Sequence, residues 1–194
     1  MKHFSEMSES ALRVVDAAEG LIQERGYNGF SYDDVAKLVG IKKPSIHHHF
    51  ATKGDLAAAV AQRYTHRFRE QLLRIEVQHA RAQDRLTAYA TLFENTFAAE
   101  QRLCVCGMLG AEANSLPEGV VHEVSRFFEA NTEWLAMVIA EGQHAQQLRA
   151  QPQARALAEA FLATLEGAMI VARSVRGARG PAGVAQTYLS TLLA

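Results

Sequence analysis

Asp33 to Lys53 reads DDVAKLVGIKKPSIHHHFATK, two short helices parted by a tight turn. Ser31 is placed to cap the first helix, its hydroxyl accepting an otherwise orphan backbone N–H near Asp34. Asp33 and Asp34 lie at the positive end of that helix's dipole. Val35, Ala36, Leu38 and Val39 supply an apolar face, and Gly40 ends the helix because glycine takes the left-handed conformation without strain. Pro44 suits a first helical turn, where its missing N–H costs nothing. Ile46 and Phe50 stand four apart and form one inward stripe, which leaves Lys43, Ser45, His47 and His48 pointing elsewhere. This is the pattern of a helix-turn-helix, whose second helix enters the major groove of DNA.

Outward from that stretch, the chain reads as helices throughout. Leu12, Val15, Ala18, Leu21 and Ile22 recur at helical spacing over Ser10–Arg25, and Gly26 stops that helix. Tyr27 and Phe30 bracket the turn-forming pair Asn28-Gly29. Thr52 and Asp55 repeat the capping pattern and open a fourth helix, to about His79, with Leu56, Val60, Tyr64, Phe68, Leu72 and Ile75 inward. Further helices are expected over about 83–101, 103–113, 118–146, 152–175 and 182–193. The fold class is all-α with about nine helices: a helix-turn-helix domain over 1–52 and a helical domain over 53–194.

The stretch from about Ala11 to Val60 resembles the DNA-binding region of the TetR (tetracycline-repressor-like) family. The matching residues are ERGYNGFS at 24–31 and DDVAKLVGIKKPSIHHHFATKGDL at 33–56. The family often carries an aromatic such as tyrosine where this chain has His47. The resemblance implies a ligand-responsive transcriptional regulator, a repressor, that binds a near-palindromic operator as a homodimer and is released by a small-molecule effector.

Charge fits that expectation locally and not globally. The 194-residue chain has a formal net charge of −1, and residues 1–60 hold seven Lys and Arg against eight Asp and Glu. From Lys37 to Gly54, however, there are four lysines and no acid, and a local patch is what phosphate neutralisation needs. Lys42, Lys43, Ser45 and His47 are the expected DNA contacts at the start of the second helix, with Lys43, Ser45 and His47 at base edges. Ser31, His48 and Lys53 are expected at phosphates, Ser31 also serving as a cap.

The helical domain offers weaker signals. Phe93, Phe97, Met108, Trp134, Met137, Phe161 and Met169 are candidates to line an effector cavity, since Met and aromatic side chains make pliable apolar walls. The same residues at the same spacing also describe an ordinary core. Glu112 and Glu166 are acids within apolar helices, placed either to orient a polar ligand or to pair with Arg126 or Arg173. Phe161, Leu162, Leu165, Met169, Ala172 and Tyr188 make a broad apolar face expected to meet a second copy, because leaving it in water costs roughly 25 cal/mol per Å².

Other chemistry finds little footing. No nucleophile–base set, phosphate loop or metal motif is present, so no catalytic residue, cofactor or metal site is expected. His47, His48 and His49 point about 100° apart on a helix and cannot close on one ion. Cys104 and Cys106 are too few for a disulfide scaffold. They read first as packing residues, and alternatively as an electrophile- or oxidant-sensing pair. A helical carrier or enzyme with an incidental helix-turn-helix is the competing class, and a constitutive DNA-binding dimer without a ligand is a third reading. No run is apolar enough to span a membrane, and 1–10 lacks a signal-peptide core, so the expected location is the cytoplasm.

Overall fold

The computed structural model describes residues 7–193, so the first part of the 1–10 stretch lies outside it. Nine α-helices follow in order among the described residues: α1 Glu9–Arg25, α2 Tyr32–Val39, α3 Lys43–His49, α4 Lys53–Gln78, α5 Ala82–Ala98, α6 Val105–Ala111, α7 Glu118–His144, α8 Ala154–Ser174 and α9 Pro181–Leu192. No strand interrupts them among the described residues; one isolated antiparallel bridge joins Leu148 to Leu193. α5 ends earlier than expected, where Glu100 and Gln101 take positive φ. α9 begins one residue before the expected 182, with Pro181 as its first residue.

The chain divides into two compact units, residues 1–68 with 104–127 and residues 69–103 with 128–194. The boundary expected at 52/53 is one of sequence, whereas the units follow contacts and draw the α6 segment in with the helix-turn-helix.

In the first unit, Val14, Val15, Ala18, Leu21 and Ile22 of α1 are buried, as are Val35, Ile46, Phe50, Leu56 and Val60. Leu38 departs from the expected apolar face of α2: it is 64% exposed. The ion pairs Arg63–Asp16 and Arg67–Glu19 tie α4 to α1. Tyr64, Phe68 and Phe127 make a ring cluster with centroids 5.2–6.1 Å apart.

In the second unit, Tyr89 is the centre of the core. It stacks on Trp134 at 5.6 Å, meets Phe93 and Phe161, and donates its hydroxyl to Asn131 at 2.9 Å. Trp134 Nε1 donates to Glu76 Oε1 at 2.6 Å, so the buried indole N–H is satisfied. Among the described residues, no helix is long and apolar enough to cross a membrane.

The cap expected at Ser31 is a full capping box. Its Oγ accepts from Asp34 N–H, while Asp34 Oδ2 accepts from the backbone N–H and hydroxyl of Ser31. These bonds hold the Asp34 carboxyl below the ordinary carboxylate range, the Ser31 side chain contributing most. A depressed folded-state pKa means that the ionised carboxylate stabilises above its unfolded pKa, and that this increment is lost as pH falls through the folded value. Ser31→Ala is therefore expected to raise the Asp34 pKa in an NMR titration. The stability gap between parent and variant should shrink as pH is lowered through the parent's Asp34 value.

Candidate nucleic-acid interface

α3 is seven residues long and buries one of them, Ile46. Lys42, Lys43, Ser45, His47 and His48 are all exposed. A helix this short does not persist alone in water, so its placement is set by its neighbours. Phe50, the residue that ends it, is buried, and its carbonyl accepts from the Tyr32 hydroxyl at 2.9 Å. Gly40, with φ 75° and ψ 33°, makes the left-handed turn between α2 and α3. Arg13 Nη2 donates to the Val39 carbonyl at 2.8 Å, closing the C-terminal end of α2 against α1.

The exposed side chains differ in how free they are. Lys43 Nζ lies 2.8 Å from Asp33 Oδ2, an exposed pair that solvent screens. His47 Nδ1 donates to the Ala51 carbonyl at 3.3 Å, and its ring meets Tyr32 edge-on at 4.7 Å. A carbonyl only accepts, so that nitrogen carries the proton and Nε2 is the ring's other hydrogen-bonding atom. His48 packs its ring against His49, and His49 Nε2 lies 3.3 Å from Ser10 Oγ on α1.

Lys53 departs from its expected phosphate role. Its ammonium sits 4.5 Å from the Tyr27 ring centroid and 4.4 Å from that of Phe30, and it donates to the Phe30 carbonyl. Burial lowers its pKa, with Glu112 and Asp34 pulling the other way. The charge is spent on holding the turn before α2.

The proposed cavity residues fall in both compact units. Met108 and Glu112 belong to the first unit and the others to the second. Phe93, Trp134, Phe161 and Met169 are buried in its core, Phe97 is half-buried, and Met137 is 43% exposed at the surface. Glu112 pairs with neither arginine expected of it; it accepts from the turn after α1, and Arg126 pairs with Glu123. What the sequence did not reveal is a groove of about 460 Å³ between α5 and α9. Gln83, Thr87 and Ala90 of α5 and Ala185, Gln186 and Leu189 of α9 line it.

The face expected to meet a second copy is also spent internally. Phe161, Leu162, Leu165, Met169 and Ala172 are buried within the second unit, and half-buried Tyr188 stacks on Phe161 and donates to the Leu157 carbonyl at 3.0 Å. The outward side of α8 instead carries Ala156, Ala160, Ala163, Gly167, Ile170 and Val171, and its last two are 53% and 55% exposed. Cys104 and Cys106 are buried; Cys104 Sγ caps α6, accepting from the Gly107 N–H at 3.5 Å.

The chain matches two family models: bacterial regulatory proteins of the tetR family over residues 14–60, and the tetracyclin repressor-like C-terminal domain over 82–188. A crystal structure of a TetR-family transcriptional regulator from Agrobacterium tumefaciens is 35% identical. It superposes with a TM-score of 0.91 and covers 95% of this chain and 98% of its own. The transcriptional regulator AcuR of Cereibacter sphaeroides is 28% identical over 155 residues, 78% of this chain and 71% of AcuR. The negative transcriptional regulator IcaR of the biofilm operon icaADBC in Staphylococcus epidermidis is 29% identical over 121 residues, 62% of each chain.

Lys53→Ala should lower folding stability by about 1 kcal/mol, the usual size of a partly desolvated cation–π contact. Chemical denaturation would measure this. Unchanged stability would return Lys53 to the surface.

Proposed function

Because the chain belongs to the TetR family of bacterial regulatory proteins, we propose that it is a ligand-responsive transcriptional repressor. It acts as a homodimer on a near-palindromic operator and leaves it when a small molecule binds. The observation that carries this reading is the outward face of α3, with Lys42, Lys43, Ser45, His47 and His48 exposed around a single buried Ile46. Such a helix fits a major groove 12 Å wide, by the general dimensions of B-DNA of about that size. Lys42 meets phosphate, while Lys43, Ser45 and His47 meet base edges. Ser31 keeps its cap and offers a phosphate contact from the start of α2.

The repressor assignment leans on IcaR, a negative regulator, and on the tetracyclin repressor-like match over 82–188. The effector is assigned to the second unit. Its stacked Tyr89–Trp134–Phe161 core favours a site away from those rings, and the 460 Å³ groove between α5 and α9 has the size of small-molecule sites. Gln83, Thr87 and Gln186 give it neutral hydrogen-bonding groups, suited to an uncharged ligand. The two thiols are read as packing groups because both are buried.

Dimerisation is assigned to the outward side of α8. Ala156, Ala160, Ala163, Gly167 and Ile170 recur at spacings of four and three, one stripe of a helix. A Cβ built at Gly167 meets nothing within 4 Å, so a partner helix has room to approach there. Two α3 helices of a dimer must then match major grooves roughly 34–36 Å apart, and a shift of a few ångströms, on the order of a hydrogen-bond length, spoils the register.

Two outcomes are expected. Lys42→Ala should weaken binding to every duplex in a mobility shift and reduce the salt slope by about 1 per protomer; an unchanged slope would remove Lys42 from the phosphates. Ile170→Glu should give monomers by sedimentation with helix content intact, because it would place a carboxylate against its own copy. A dimer that survives it would move the interface off this stripe.

A further inference from the structure

We propose that Glu112 is a positioning residue for DNA reading: its carboxylate holds the turn from which the helix-turn-helix begins. The inference rests on the DNA-binding reading and adds to it a residue far from the reading face. Glu112 closes the C-terminal end of α6 and lies within the 82–188 match, whereas the turn that it grips lies within the 14–60 match. Both sit in the first compact unit.

Three donors converge on this one side chain. Oε2 accepts from the Tyr27 backbone N–H, and Oε1 accepts from the Asn28 backbone N–H and from Asn28 Nδ2, both at 3.2 Å. Two successive backbone donors left outside any helix thereby find a charged acceptor, and such charge-assisted bonds are about twice as strong as neutral ones. Ser115 completes the grip, accepting from Asn28 Nδ2 at 3.2 Å and donating to the Glu112 carbonyl at 2.9 Å.

Glycine at 26 suits this turn on two counts, the backbone angle being the requirement. Its φ of 76° is one that side chains rarely adopt, and a Cβ there would lie 2.9 Å from Glu112 Oε2. On the same turn, the Tyr27 ring receives the Lys53 ammonium. Burial raises the pKa of the Tyr27 hydroxyl, and the Glu112 charge raises it further.

From that turn the connection to α3 is short. Phe30 gives its carbonyl to Lys53, Ser31 caps α2, and Tyr32 gives its hydroxyl to the Phe50 carbonyl at the end of α3. A displacement of Tyr27 and Asn28 is therefore passed along the six residues Tyr27–Tyr32 to the reading helix. The buried stripes of α1 and α2 do not include Glu112, so its removal loosens the turn and leaves the core in place.

The test compares the parent with Glu112→Ala and Glu112→Gln, using two probes. The first is amide hydrogen exchange of Tyr27 and Asn28, read against interior amides of α1. The second is affinity for the tightest duplex that the parent selects from a random-sequence pool, with a shuffled duplex as the non-specific control. Glu112→Ala should speed exchange of the two amides and weaken the selected duplex, each by about tenfold, the usual scale for hydrogen bonds to a charged group.

The shuffled duplex and the salt slope should stay as in the parent, since no phosphate contact is lost. Glu112→Gln keeps one acceptor oxygen and should show smaller changes of the same sign; it also serves if the alanine variant fails to fold. Unchanged exchange would overturn the grip on the turn. Faster exchange with undiminished selected-duplex affinity would overturn the positioning role. If the parent selects no duplex at all, the DNA-binding reading fails, and the exchange arm still judges the grip.

Discussion

A helix of seven residues has too few internal hydrogen bonds to hold itself in water, and α3 is of that length. Everything this protein does with DNA under the proposed reading depends on how that helix is held from outside. Two buried side chains, Ile46 and Phe50, attach it to the core, and one hydroxyl, that of Tyr32, fixes its last turn. Burial on the Tyr32 ring pushes its pKa well above the usual phenol range, with Asp55 and Tyr27 adding to the effect, so the hydroxyl stays protonated and remains a donor at any physiological pH. The packing of α1, α2 and α4 gains its functional meaning from that arrangement.

Most of the architecture was legible because it is written in local signals. The caps at Ser31 and Thr52, the glycines at 26 and 40, and the inward stripe Ile46–Phe50 all act within four residues of chain, and each holds in the structure. What was not legible depends on partners distant in sequence. Lys53 looked like a phosphate contact because periodicity cannot reveal that Tyr27 and Phe30 flank its ammonium. Glu112 looked like a ligand group or an ion-pair partner because its donors lie 84 and 85 positions away. α8 was misjudged for a related reason: both of its faces are apolar, and periodicity alone does not say which one the chain keeps for itself.

The α6 segment shows how a family's sequence boundary and a compact unit diverge. Residues 104–127 fall within the C-terminal family match, yet their contacts place them with residues 1–68. The apolar residues Val105, Cys106 and Leu109 anchor the segment, and its polar end meets the turn after α1. Under the proposed ligand-responsive reading, any effector free energy that reached this segment would be felt at that turn, and linkage would require the reverse as well.

The inward-turned Lys53 has a further consequence for how the protein searches a genome. With that ammonium committed to two rings and a carbonyl, and with Lys43 shared with Asp33, Lys42 is the lysine at the start of α3 that enters none of the ion pairs among the described residues. Non-specific retention on DNA is driven by release of counterions from neutralised phosphates, and it grows with each cation presented. Under the proposed reading, a face with so few cations would dwell briefly on arbitrary sequence. Fewer copies would then be sequestered among the many competing sites, and occupancy of the right one would be set by discrimination rather than by abundance.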